Sequence, residues 1–438
     1  MEAFKMRTNE IRLEDAHNDN PNVENKEYSL TGLPTTARWY IDVREWDACG
    51  KNLPLLEFLR PDEQKSVIRY YHDADKRMSL ASHLLKYLYI HHACGIPWKE
   101  IVLRRTEMPE NRPYYKSTTD TEVEFNVTHQ AGLTILAGTI APNHQQTLHH
   151  ANGGDLTPQP RLGIDVTCVN ENRRKVIKTM AEYLEHVSIF VDVFSETELR
   201  TMRNPRQALD RARECGLAKA FDGSNSEDTI VRYGLRLFYS YWALKEAYLK
   251  MTGDALLAPW VRTLEFLNVI PPDPVEPLHA QKPYVPSQGL KYIPQSPKNW
   301  GPLFAGVRAT KDGKTLDDVR FQLVAFESDY IVAVAGRGLP VGVFPDGKYN
   351  QGLHHLPAQI TVCSENQKEE HRIPLSAKKV IGDMDPWDIP SSIVDPWLPM
   401  QEVDIDIDIR ACAEGRCLHP ENPRSVLSRV KAELPDSA

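Results

Sequence analysis

The chain has 438 residues, and 52 Lys and Arg against 60 Asp and Glu leave a formal net charge of −8. With 41% hydrophobic and 26% charged residues, it holds material for one large domain or two modest ones, and wholesale disorder is excluded. Runs such as Leu133 to Ala141 and Tyr330 to Ala335 have the length of strands, well short of the ~20 apolar residues of a membrane helix.

In chain order, residues 1–36 are polar and without periodicity, which predicts a disordered leader. They lack the apolar core of a signal peptide and the acid-poor character of a transit peptide, so a cytoplasmic location is expected. The segment ARWYIDVREW reads as a strand, and LLEFLRPDEQKSVIRYYH has helical spacing. A second helix is expected from about Asp75 through MSLASHLLKYLYIHHAC, stopped by Gly95 and Pro97. WKEIVLRRTE, VEFNVTHQ, LTILAGTIA and RLGIDVT are short and β-branched, which predicts strands.

Helical periodicity returns in ENRRKVIKTMAEYLEHVSIF and ETELRTMR, and most strongly from about Thr229 to Met251, closed by Gly253. Nine prolines between residues 271 and 302 predict an irregular or polyproline-like insertion. VRFQLVAFE and DYIVAVAG read as the last strands, and an extension is expected beyond residue 340. Residues 381–438 carry twelve acids and five Lys or Arg, a local net of 5 − 12 = −7. That argues against a nucleic-acid binder and makes any phosphate site local. The tail also holds two Asp-Pro-Trp triplets (from Asp385 and Asp395) and the alternation DIDIDI at 404–409, which read as a packed tail or a docking motif.

Seven scattered cysteines without a C-x-x-C predict reduced thiols. The group His354, His355, Cys363 and His371 fits no zinc spacing.

Some residues point to chemistry. In FYSYWALKEAYLKMTG, Phe238, Trp242, Glu246 and Lys250 recur every four residues and share one helix face, so the charged pair follows two large apolar residues toward the interior. A surface Glu–Lys pair is the alternative. In RLGIDVT, alternation puts Leu162, Ile164 and Val166 on one face and Asp165 with Thr167 on the other. An aspartate within a strand is disfavoured, and binding a hard cation alongside a substrate phosphate is one reason for it.

Asn126, Thr128 and His129 end a strand, and His129 is suited to a phosphate oxygen, a proton shuttle or a structural role. Ser195 and Glu198 fit a capping box, which explains Glu198 structurally. Lys99, Arg104, Arg105, Arg112 and Lys116 form a modest basic patch.

Taken in this order, NRPYY, FNVTHQ, LGIDV, FSETE and WALKEAYLK resemble the motifs of the Sfp-type 4′-phosphopantetheinyl transferases. HLLKYLYIHHACGIPWKEIVLRRTE is similar to the eukaryotic branch acting on aminoadipate-semialdehyde dehydrogenase in the lysine pathway. The resemblance covers residues 37–340. It implies an α/β (α+β) fold, a pseudo-twofold monomer of two similar subdomains, each a small antiparallel sheet packed with helices, plus irregular extensions. On this reading residues 37–160 and 161–340 are the two transferase subdomains, with the proline-rich insertion at 271–302 and the acidic extension at 341–438.

The implied activity is Mg²⁺-dependent transfer of 4′-phosphopantetheine from coenzyme A to a serine of apo acyl or peptidyl carrier proteins, with release of 3′,5′-ADP. Carriers of fatty-acid, polyketide, nonribosomal-peptide and lysine-precursor synthesis are the implied partners, with no nucleic acid and no membrane. Asp165 and Glu246 match the family's metal ligands, and Glu198 matches an acid credited as ligand or general base. Lys250 and His129 match groups that hold the diphosphate and the pantetheine arm. Arg105 and Arg112 match positions at the nucleotide end, while Asn126, Thr128 and His129 match a coenzyme A contact. Thr167 stands where bacterial members often carry another acid, Arg112 where many carry Lys, and Thr128 where Ser is common. The alternative is a non-catalytic coenzyme A or carrier-protein binding module that kept the fold.

Overall fold

The computed structural model describes residues 36–46, 52–108, 110–116, 122–141, 160–171, 176–254, 258–276, 299–301, 307–338 and 400–417. In its first half, β1 (Thr36–Asp42) leads to α1 (Pro61–Ile68) and α2 (Asp73–Cys94). The expected first helix is shortened because Pro61 fixes the start and holds Arg60 extended, leaving Leu56–Phe58 as a 3-10 turn. Gly95, at φ +63°, ends α2 in the left-handed conformation. WKEIVLRRTE is not one strand. Trp98 is buried with its indole N–H on the Phe58 carbonyl, which holds Trp98–Glu100 as a turn. Only β2 (Arg104–Arg105) remains, paired with β3 (Pro113–Tyr114).

Next come β4 (Glu122–Gln130) and β5 (Leu133–Ala141), antiparallel and joined by Ala131 and Gly132. Both connecting residues have positive φ, 48° and 90°, as a two-residue primed hairpin turn requires.

The second half begins with β6 (Arg161–Cys168). The helices α3 (Met180–Ser188), α4 (Glu196–Arg203), α5 (Pro205–Glu214) and α6 (Glu227–Thr252) follow. Helix α3 is shorter than its periodicity because Thr179 and Glu182 form a capping box inside the expected span. Helix α5 was not expected from the sequence. Pro205 occupies its first turn, where the missing N–H costs nothing. The strands β7 (Leu264–Leu267), β8 (Arg308–Lys311) and β9 (Lys314–Thr315) form a small sheet. β10 (Val319–Phe326) and β11 (Tyr330–Arg337) then join β6 in the antiparallel order β10-β11-β6.

The acidic extension is more than an appendage. Gln401–Glu402 (β12) adds in parallel to the edge of β1, giving the sheet order β12-β1-β5-β4. DIDIDI then winds into a helical turn capped by Asp404 and continued by α7 (Arg410–Ala413). The i, i+4 spacing buries Ile405 and Ile409 in the core beneath α2 and leaves Ile407 72% exposed, where a strand would have put all three on one face. Residues 1–35, most of the proline-rich insertion, both Asp-Pro-Trp triplets and the 354–371 histidine group lie outside the described residues. Cys215 is disulfide-bonded, a departure from the expectation of reduced thiols that scattered spacing does not reveal. Cys94, Cys168, Cys412 and Cys417 remain as thiols.

Three cores hold the fold. One lies between α2 and the first sheet, one between α6 and the second sheet, and the third between the two sheets. The third explains the alternation read in β6: Leu162, Ile164 and Val166 meet Tyr40, Ile135 and Ala137 across the sheets, while Asp165 turns the other way to Lys250 of α6. At Gly163 the approach is so close that a Cβ would stand 1.9 Å from the Ala247 carbonyl oxygen.

The halves are also stitched edge to edge. Every second N–H of β6, at Leu162, Ile164, Val166 and Cys168, donates to a side chain of β4 rather than to its backbone. The acceptors are Glu124, Asn126, Thr128 and Gln130 at 3.3, 3.0, 3.2 and 3.0 Å. Polar side chains thus replace a neighbouring strand and leave no exposed strand edge at the seam.

Candidate active site

At one end of this seam lies a cavity of about 540 Å³, lined by β4, β6, α3 and α6. Its size and mixed lining suit a cofactor-sized molecule. Strand β4 contributes Thr128, His129 and Gln130, and β6 contributes Asp165 and Thr167. The predicted stripe of α6 enters as a whole, with Phe238, Trp242, Glu246 and Lys250 all facing the cavity.

The stripe divides the cleft into an apolar wall and a charged floor. Phe190 sits 5.2 Å from Phe238 and 5.3 Å from Trp242 between ring centroids, and His186 packs at 4.6 Å on Phe238. These are the offset and edge-on distances of favourable aromatic pairs. On the floor, Lys250 Nζ donates to Asp165 Oδ1 at 2.6 Å and to Thr128 Oγ1 at 3.1 Å, and Thr167 Oγ1 donates to Asp165 Oδ2 at 3.1 Å. The hydroxyl of Thr167 therefore orients the carboxylate at the position where an acid was the alternative.

Glu246 faces the same group. Burial and then the Asp165 charge raise its pKa above the ordinary carboxylate value, with Lys250 opposing. Two carboxylates held close enough to repel each other, beside a cationic side chain, form an oxygen donor set that fits a hard divalent cation. His129 is exposed toward the cleft. Desolvation by its surroundings, followed by the charge of Lys250, pushes its imidazole below the ordinary histidine value, so it is neutral at neutral pH.

Four of the residues matched to the family do not line the cleft. The Asn126 side chain accepts from the Ile164 N–H in the seam. Arg112 is buried, and its guanidinium donates to the Met251 and Leu162 carbonyls and to Glu124 at 2.8, 3.1 and 2.5 Å, clamping the C-terminal end of α6 to both strands. Arg105 is exposed and donates to the Asn111 carbonyl within the β2–β3 hairpin. Glu198 is fully buried: it caps α4, accepts from the Ser195 and Phe266 N–H groups, and pairs with Lys245 at 2.9 Å. Burial raises the pKa of Glu198 and lowers that of Lys245, with the mutual attraction working against both shifts.

Sequence reasoning missed Gln130, His186, Phe190 and Tyr239 as lining residues. Phe190 and His186 belong to the ENRRKVIKTMAEYLEHVSIF periodicity, but only the packing of α3 on α6 turns them to the cleft.

Residues 44–141 match the family model described as 4′-phosphopantetheinyl transferase, N-terminal. Residues 161–284 match that of the 4′-phosphopantetheinyl transferase superfamily. Both models span the strands and helix that build the cleft. The chain is 39% identical over 406 residues to 4′-phosphopantetheinyl transferase A of Aspergillus fumigatus, covering 88% of this chain and 96% of that one. It is 38% identical over 404 residues to 4′-phosphopantetheinyl transferase NpgA of Emericella nidulans, covering 89% and 97%. A more distant relative is the L-aminoadipate-semialdehyde dehydrogenase-phosphopantetheinyl transferase of Schizosaccharomyces pombe, 24% identical over 50% of this chain and 69% of that one. With both halves matched and nearly the whole length of two relatives covered, the chain belongs to the 4′-phosphopantetheinyl transferase family.

Proposed function

We propose that the protein transfers 4′-phosphopantetheine from coenzyme A to a serine of apo carrier proteins with Mg²⁺, releasing 3′,5′-ADP, and that it does so in the cytoplasm. Carrier domains of polyketide, nonribosomal-peptide and lysine-precursor synthesis, together with fatty-acid carriers, are its proposed acceptors. The observation that carries this reading is the convergence of Asp165, Glu246 and Lys250 with Thr128 and His129 around one cleft. The names borne by the relatives support it independently.

In the reaction the serine oxygen attacks the phosphorus that carries the pantetheine arm. The P–O bond to the nucleotide half of the diphosphate breaks, and the serine gives up its proton. Asp165 and Glu246 would hold Mg²⁺, which would supply positive charge to offset that of the diphosphate. Lys250 lies against Asp165 and adds a second positive charge where negative charge develops on the leaving oxygen. The low pKa of His129 keeps an imidazole lone pair available to accept the serine proton. The wall of Phe190, Phe238 and Trp242 offers the pantetheine arm apolar contact and keeps water from the phosphorus.

Glu198 takes no part in these steps, because both of its oxygens already have buried partners in the core.

Intact mass spectrometry of an apo carrier protein incubated with the full chain and coenzyme A, with and without Mg²⁺, tests the proposal. A Mg²⁺-dependent gain of one phosphopantetheine on the carrier serine is expected. No gain across several carrier types while coenzyme A still binds would instead support a binding module.

A further inference from the structure

A second cluster of metal-ligating side chains lies in the first half of the molecule, built from residues that the transfer chemistry does not use. His91 stands in the last turn of α2, Cys412 in α7 and Cys417 just beyond it. Their donor atoms all lie within 4.8 Å of one another, and His91 Nε2 is 3.2 Å from Cys417 Sγ. Tetrahedral zinc, with bonds of about 2.3 Å to sulfur and about 2.0–2.1 Å to nitrogen, places such donors about 3.6–3.8 Å apart. The 3.2 Å spacing is slightly shorter than that value and the other separations stay under 4.8 Å, within reach of side-chain rotation.

A separate feature points the same way. His91 Nδ1 donates to the Ile96 carbonyl at 2.5 Å, which leaves the Nε2 lone pair directed at the thiols. Metal-bound histidines characteristically have their second nitrogen held by such an outer hydrogen bond. His91 and Cys412 are buried and Cys417 is half-buried. A 2+ cation with two thiolates has no net charge, so the site can be filled without leaving an unpaired charge in the core.

We propose that His91 Nε2 and the sulfurs of Cys412 and Cys417 bind a soft divalent cation, zinc, with water in the fourth position, fastening residues 400–417 to α2. On binding, the two thiols lose their protons to solvent, two metal–sulfur bonds and one metal–nitrogen bond form, and no redox change occurs. Sulfur and imidazole select this metal, whereas the carboxylates of the cleft select a harder one. The fastening closes the first core, because the same segment contributes Ile405, Ile409 and Ala413 to it and adds β12 to its sheet.

The test uses the full chain, purified under reducing conditions and dialysed against metal-free buffer. Zinc is counted by elemental mass spectrometry, and Co²⁺ is titrated in while thiolate-to-metal charge-transfer absorption is recorded. About one zinc per chain and a charge-transfer band are expected. Zinc should raise the Tm of the Mg²⁺-loaded protein further, and should not do so in Cys417→Ser. Cys412→Ser alters a core position and can fail to fold, so Cys417→Ser is the deciding variant. It should stay folded, bind zinc at least about tenfold more weakly, lose the charge-transfer band and keep Mg²⁺-dependent transfer. Equal zinc binding by Cys417→Ser, no zinc in the wild type, or a Cys412–Cys417 disulfide in the reduced preparation would overturn the proposal.

Discussion

Two lysines of α6, five residues apart, each pair with an acid from another element, and the molecule treats the two pairs in opposite ways. On the core side, Lys245 and Glu198 lie at 2.9 Å with both side chains at 0% exposure. Lys245 also donates to the Val261 and Leu264 carbonyls, and Glu198 also accepts from the Ser195 and Phe266 N–H groups, so the pair leaves no donor or acceptor for a ligand. On the cleft side, Lys250 and Asp165 lie at 2.6 Å with side-chain exposures of 29% and 9%, and Glu246 presses a second negative charge on the same group. The same residue types therefore have two uses. Complete satisfaction builds the core, and an open, mutually repelling group is left for an incoming cation and phosphate.

The sharpest test removes the cleft carboxylates. Asp165→Ala and Glu246→Ala should each lower kcat/KM for carrier modification by about 10³-fold or more, the loss of at least ~4 kcal/mol of transition-state stabilisation. Far-ultraviolet circular dichroism should be unchanged. Wild-type rates in either folded variant would remove the metal site from the cleft.

The core pair should behave in reverse. Glu198→Ala leaves an uncompensated ammonium in the core and should cost about 3–5 kcal/mol of stability in denaturant unfolding. Glu198→Gln keeps the hydrogen-bonding shape, and in its folded fraction transfer should stay within about tenfold of wild type. A 10³-fold loss in that well-folded variant would break the contrast and restore Glu198 to the chemistry.

Why the sequence suggested more for Glu198 than the geometry supports follows from what each pattern encodes. Periodicity on one helix is local, so Phe238, Trp242, Glu246 and Lys250 were legible as a single stripe, and all four face the cleft. The capping box of Ser195 and Glu198 was equally legible, being four residues long. Its partner Lys245 is adjacent to Glu246 in sequence but turned about 100° round α6, into the core. Only the packing of α4 and β7 against α6 decides that it meets Glu198.

The seam between β4 and β6 was illegible for a related reason. Glu124, Asn126, Thr128 and Gln130 alternate as strand residues do, yet nothing in that alternation says that they accept from another strand's N–H groups. The buried role of residues 400–417 was hidden likewise, because DIDIDI has the period of a strand and adopts the i, i+4 contacts of a helix.

A smaller effect should follow from closing the space between β6 and α6. Gly163→Ala places a methyl group against the Ala247 carbonyl and the Met251 N–H, neither of which can give way without moving the helix. A cost of about 1–3 kcal/mol is expected in urea unfolding. Because the displaced turns carry Glu246 and Lys250, kcat should fall more than stability alone explains. Unchanged kcat in the folded variant would mean that the cleft tolerates movement of α6.

The smallest effect has the opposite sign. Burial and the Asp165 charge raise the pKa of Glu246 in the folded chain, with Lys250 opposing, so the native state holds this proton at pH values where the unfolded chain has released it. Over the window between the ordinary glutamate value and the raised one, the unfolded state binds fewer protons, and stability falls as pH rises. Glu246→Gln removes the ionisation. Without metal, the variant should melt about 2 °C above wild type at neutral pH, and the difference should vanish below the ordinary glutamate range. Added Mg²⁺ should raise the wild-type Tm and leave the variant unmoved, so that the order of the two reverses. A variant less stable than wild type at neutral pH in metal-free buffer would mean that Glu246 stabilises the core like Glu198, and the contrast between the two sides of α6 would fail. The expected crossing of the two Tm values with metal marks Glu246 as a group that destabilises the empty cleft and stabilises the loaded one.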